Sequence, residues 1–143
     1  MAAINRGEAA HLNLSTVVLR TAVIGLTLAT AAIHFSLGGL LFLANAAGYA
    51  VLALALVAPG PAARWRWLVR LALIGFTAAT LGGWIAFGPR FGLAYIDKAI
   101  EIALIGVLLL ELWRADGGPL AIVRRIRRLV QNVAAPTAPR QVS

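Results

Sequence analysis

Residues 19–38 read LRTAVIGLTLATAAIHFSLG, and residues 69–88 read VRLALIGFTAATLGGWIAFG. Set one above the other without a gap, eight of the twenty positions are identical: Arg20/Arg70, Ala22/Ala72, Ile24/Ile74, Gly25/Gly75, Thr27/Thr77, Ala29/Ala79, Thr30/Thr80 and Gly38/Gly88. Chance accounts for alanine matches in so apolar a stretch, but not readily for the matched Arg, Gly and Thr. Each segment also has the length, about 20 apolar residues, that crosses the hydrocarbon core of a bilayer. Two further apolar runs follow them. At the same offset of 50 they agree more weakly, at Leu43/Leu93, Ala44/Ala94, Ala53/Ala103, Leu54/Leu104 and Val57/Val107.

The pattern predicts an all-α integral membrane protein with four transmembrane helices, at about 16–36, 39–59, 66–88 and 94–113. They form two tandem parallel-repeat hairpins, about 16–59 and 66–113, related by an axis along the membrane normal. A cytoplasmic segment, 1–15, precedes this domain; a basic amphipathic helix, 117–134, and a disordered tail, 135–143, follow it. Composition agrees: 61% of the chain is hydrophobic and 13% charged, against roughly half and a quarter in soluble domains. Turn signals fall between the spans, at Gly38-Gly39, Pro59-Gly60-Pro61 and Gly88-Pro89. Ala29-Thr30-Ala31 has the small-residue pattern of a signal-peptidase site. Its duplicate lies deep in the chain, however, so the first span is expected to be retained.

Eleven of the thirteen Lys and Arg fall on one side of these spans; Arg90 and Lys98 alone fall on the other. The positive-inside rule then makes both termini cytoplasmic, in a multi-pass protein of the cell (inner or plasma) membrane. Trp65 and Trp67 suit the headgroup layer at that edge. The net charge of +8 does not indicate nucleic acid, because the arginines sit at span ends and in one helix without interleaved aromatics. With no cysteine there is no disulfide, thiolate metal site or cysteine nucleophile. No phosphate-binding glycine loop or His-rich metal motif is present either. The chain is therefore expected to be neither an enzyme nor a metalloprotein.

Ionisable groups inside spans usually face protein or water. By helical rise, His34, Asn45, Asp97 and Glu101 reach similar depths in the outer leaflet and could converge. Three readings of them stand open. In the first, Asp97 caps the fourth helix, Lys98 extends to the interface, and Glu101 bonds His34, Asn45 or Tyr49. In the second, the histidine and two carboxylates hold a proton or cation. In the third, His34 is an axial ligand to haem or chlorophyll. At the cytoplasmic edge, Arg20, Arg70 and Glu111 are expected to form a charge cluster, or to hold a lipid headgroup. Gly25, Ala29 and Thr30, with their counterparts Gly75, Ala79 and Thr80, read as a small-residue packing face or as a threonine-lined polar path at the pseudo-symmetry axis. In the last helix Ile122, Ile126, Leu129, Val130 and Val133 oppose Arg124, Arg125, Arg127 and Arg128, a basic face suited to anionic headgroups.

Two functions fit these features. One is a non-enzymatic membrane protein that packs in a homo-oligomer or as an accessory subunit of a larger membrane complex. The other is a proton or cation channel or carrier with its site at Glu101, Asp97 and His34.

Overall fold

The computed structural model describes the backbone of residues 2–134 and the side chains of residues 15–131 other than 62, 116, 119 and 129. The expected disordered tail, 135–143, lies outside the described residues, as do the side chains of Leu129 and Val133. The described chain is helical throughout, with no strand: α1 (Ala2–Leu37), α2 (Leu40–Val57), a 3-10 segment (Gly60–Trp65), α3 (Arg66–Phe87), α4 (Gly92–Asp116) and α5 (Pro119–Ala134).

Three stretches are long and apolar enough to cross a membrane: Ser15–Leu37, Leu40–Val57 and Ala63–Phe87. That is the make-up of a membrane protein. Helix α4, of 25 residues, is as long, but Asp97, Lys98, Glu101 and Glu111 interrupt its apolar run. The connections follow from backbone chemistry. Gly38 and Gly39 have φ of 65° and 78°, which only glycine adopts freely, so α1 reverses into α2 within two residues. Ala58, held extended before Pro59, ends α2. Gly117, left-handed, ends α4.

Helices α1 to α4 touch in cyclic order: α1 packs on α2 and α4, and α3 packs on α2 and α4. No Cα of α1 lies within 8 Å of α3, nor one of α2 within 8 Å of α4. The core along the middle of this ring holds Val23, Tyr49, Leu73, Leu104 and Leu108, all fully buried. Aligned residues of the two opening segments point inward together: Thr27 with Thr77, and Val23 with Leu73. The expected small-residue face divides. Thr30 is buried, whereas Gly25 and Gly75 are exposed, and an added Cβ at either glycine would meet nothing. Five helical residues turn the chain by well over a quarter turn, so Gly25 and Thr30 cannot share one face.

Helix α5 docks at the end of the ring where α2 ends and α3 begins, called proximal below; the other end is distal. Ile122 packs with Trp67 and Leu112, and the Arg125 guanidinium lies 5.4 Å from the Trp67 ring centre. Of the apolar face expected on α5, Ile126 and Val130 are exposed, as are the neighbouring Leu120 and Val123.

Candidate functional site

The distal half of the ring encloses the ionisable residues that the sequence placed at similar depth. His34 comes from α1, Tyr49 from α2, Thr80 from α3, and Asp97, Lys98 and Glu101 from α4. His34, Asp97, Lys98 and Glu101 are none of them more than 6% exposed. On α4 the stripe Ala94, Asp97, Lys98, Glu101, Leu104 and Leu108 is buried, the three-to-four-residue spacing of one helix face. The opposite face, with Ile96, Ile102 and Leu109, is exposed and apolar.

Thr30 Oγ1 donates to Asp97 Oδ1 at 2.6 Å. Lys98 Nζ donates to Glu101 Oε2 at 2.6 Å and lies 2.9 Å from Asp97 Oδ2, so a single ammonium bridges both carboxylates. Glu101 Oε1 accepts from the Tyr49 hydroxyl at 2.9 Å and from Thr80 Oγ1 at 2.9 Å. Tyr49 and Thr80 are themselves 2.8 Å apart, and Thr80 Oγ1 is also 2.8 Å from the Thr77 carbonyl. Two hydroxyl hydrogens thus serve four close oxygen contacts, so not all four are hydrogen bonds at once.

His34 faces the same oxygen. Its Nδ1 lies 3.0 Å from the Thr30 carbonyl, which can only accept, so Nδ1 carries the hydrogen. Its Nε2 lies 4.0 Å from Glu101 Oε1. Asp97 Oδ1 is 3.6 Å from Nδ1. Two carboxylates and one ammonium leave the cluster with a single net negative charge while His34 is neutral.

These positions correct the first of the three readings. Asp97 caps nothing: α4 begins at Gly92 behind Phe91, without a side-chain cap. Lys98 turns inward instead of to an interface. The bond from Tyr49 to Glu101 is the part of that reading that forms. Axial ligation needs a ring nitrogen open to a macrocycle, whereas Nδ1 of His34 lies 3.0 Å from the Thr30 carbonyl and Nε2 faces Glu101 Oε1 at 4.0 Å.

Above the cluster lies a cavity of about 370 Å³. His34, Asn45, Thr80, Asp97 and Lys98 form its floor, and Leu41, Phe42, Phe76, Trp84, Phe87 and Phe91 line its walls and mouth. Asn45 joins the site as a lining residue. Helices α2 and α3 meet tightly at Gly48, where a Cβ would lie 2.5 Å from Phe76 Cζ, and beyond that point the small residues Ala79 and Gly83 of α3 leave room in the lining. Trp84 at the rim donates to the Pro89 carbonyl at 3.0 Å, and the Arg90 guanidinium sits 4.2 Å above its ring.

At the proximal end Arg70 Nη2 and Glu111 Oε1 pair at 2.9 Å, both buried. Arg20 does not bond Glu111; it donates to the Leu56 carbonyl at 2.8 Å, one of those left free at the end of α2. The α5 arginines Arg124, Arg125, Arg127 and Arg128 are all exposed. Thr30, Thr80 and Lys98 belong to the site through their bonds to Asp97 and Glu101, whereas the sequence places Lys98 at the interface and the threonines on a separate small-residue face. The available signals were the Thr30/Thr80 match and the i, i+4 spacing of Thr30 and His34.

Comparisons with protein families, curated proteins and solved structures find no match.

Proposed function

We propose that this is a four-span membrane protein, two tandem hairpins in one bundle with both termini cytoplasmic, which binds and passes a proton or cation at the His34–Asp97–Lys98–Glu101 cluster. The observation that carries the proposal is the cluster: two carboxylates, a lysine and a histidine, all buried and lying under a cavity. Ionisable residues at such depth are costly in a membrane and commonly mark ion or proton paths. Support for α4 as the fourth span comes from its inverted pattern, with charges inward and Ile96, Ile102, Leu109 and Trp113 outward. Val23, Leu73, Leu104 and Leu108 fill the centre of the bundle between the distal cluster and the Arg70–Glu111 pair. Passage therefore requires a conformational change, as in a carrier, or an oligomer that supplies another path. Helix α5 lies on the cytoplasmic leaflet, with its arginines on anionic headgroups.

Proteoliposomes loaded with a pH-sensitive dye test the proposal under an imposed potential. Wild-type protein acidifies the lumen, and Glu101→Gln abolishes the flux. Unchanged flux and unchanged pH dependence in that variant would end it.

A second reading, packing in a homo-oligomer or as an accessory subunit, draws on Gly25, Gly75, Gly82 and Gly106, where an added Cβ would touch nothing within the chain. Native mass spectrometry from mild detergent is its test, and a solitary monomer at every concentration counts against it.

A further inference from the structure

We propose that the distal cavity takes a hydrophobic organic monocation in exchange for one proton of the cluster beneath it. The inference rests on the proton- or cation-carrier reading and names the cargo and the coupling.

The coupling follows from charge. With His34 neutral the cluster carries one negative charge, from two carboxylates and Lys98, none of them more than 6% exposed. One positive charge neutralises it. That charge can be a proton between His34 Nε2 and Glu101 Oε1, 4.0 Å apart, or a cation on the cavity floor beside Asp97. Both together would leave an unpaired positive charge in a low-dielectric interior, where repulsion is strong. Proton and cation therefore exclude each other although they occupy different positions. Among the described residues, the titratable groups around His34 are Tyr49 from α2 and Asp97 and Glu101 from α4, with Lys98 bridging the two carboxylates. Across the cavity stand the neutral Thr80 on α3 and Arg90 at the rim, stacked on Trp84.

The cargo follows from the walls. A volume of about 370 Å³ lies in the range of small-molecule pockets and far exceeds a bare ion. Phe42, Phe76, Phe87 and Phe91 line it, surfaces that hold an apolar body and attract a cation through their ring faces, while Arg90 already stacks on Trp84. His34, Asp97 and Glu101 have a spacing that could ligate a metal. The Lys98 ammonium, within 2.9 Å of both carboxylates, opposes a divalent charge there. A diffuse organic cation, held one layer above, leaves Lys98 in place.

The test is isothermal titration calorimetry of the purified full-length protein with tetraphenylphosphonium, in two buffers of different ionisation enthalpy. At a pH low enough for the free cluster to hold its proton, binding is expected to release about one proton per ion and to weaken about tenfold per further pH unit of acidification, as linkage requires. Triphenylphosphine oxide, of similar shape but neutral, is not expected to bind. Lys98→Met, which adds a net negative charge to the floor, is expected to bind the cation at least tenfold more tightly, a gain that misfolding cannot mimic. Glu101→Gln loses binding and Glu101→Asp keeps it. Binding without proton release, equal binding of the neutral probe, weaker binding by Lys98→Met, or displacement by millimolar potassium or zinc would each overturn the proposal. Glu101-dependent proton flux with no tetraphenylphosphonium binding overturns the exchange alone. Loss of both removes the carrier reading as well.

Discussion

Replacing Thr30 by valine keeps the shape of a fully buried side chain and deletes one hydroxyl. The cavity contribution to the change is then close to zero, and the loss is that of the 2.6 Å bond from Thr30 Oγ1 to Asp97 Oδ1. A hydrogen bond to a charged group is worth about 1.5–3 kcal/mol in soluble proteins. Measured interhelical bonds in membranes average about 0.6 and reach about 1.7 kcal/mol. A short bond to a buried carboxylate belongs at the top of the membrane range, so Thr30→Val should destabilise by about 1.5 kcal/mol, roughly tenfold in the unfolding constant. Two controls grade the effect. Thr80→Val should lose about 0.6 kcal/mol, because Glu101 Oε1 keeps the Tyr49 hydroxyl and Oε2 keeps Lys98. Thr27→Val should change stability by less than about 0.5 kcal/mol, because Thr27 Oγ1 only donates back to its own helix, at the Val23 carbonyl. The assay is reversible unfolding in mixed micelles, followed by circular dichroism. A double-mutant cycle with Asp97→Asn, in which the bond survives as a neutral one, should give a coupling of about 1 kcal/mol. If Thr30→Val is neutral, or no worse than Thr27→Val, the bond does not hold α1 to α4 and the account of the cluster is wrong.

Gly48→Ala should cost about 1–3 kcal/mol by overpacking, since its Cβ would sit 2.5 Å from the Phe76 ring; adding Phe76→Leu should recover part of the loss in the same unfolding assay. Arg70→Met should destabilise by about 3–5 kcal/mol by leaving Glu111 buried and uncompensated, and the Arg70→Met/Glu111→Met double variant should be markedly more stable than the single one. Because the native chain lacks cysteine, Arg90→Cys and Arg124→Cys each place one reporter thiol at an exposed site. With four spans an impermeant maleimide should label them from opposite sides of a sealed membrane, and labelling from the same side would mean that α4 does not cross.

The helices and their turns were largely legible because they are local. Apolar runs of about 20 residues, Gly38-Gly39, Pro59 and Gly117 are each a statement about a few neighbouring residues. Depth was legible too: His34, Asn45, Asp97 and Glu101 do gather in one distal region. Rotation was not. Asp97 and Lys98 stand near the start of α4, where a one-dimensional reading sends them to an interface, yet both are buried. Their stripe with Glu101, Leu104 and Leu108 faces the ring, inverting the soluble rule that charges point outward. Arg20 and Arg70 align in sequence but part in space, because each takes the nearest acceptor: the Leu56 carbonyl for one, the Glu111 carboxylate for the other.

The sequence by itself determined what a linear pattern can carry: helical class, the apolar lengths, the turns and the scarcity of polar side chains, which made every buried charge informative. Only the tertiary structure decided which polar groups meet. One ammonium bridges two carboxylates, Thr30 and Thr80 reach them from opposite helices, and the Nε2 of His34 faces Glu101. Those meetings depend on helix rotation and on the gap that opens beyond Gly48 and Phe76. Both are set by side-chain packing among residues up to 67 positions apart, a separation at which sequence periodicity carries no signal.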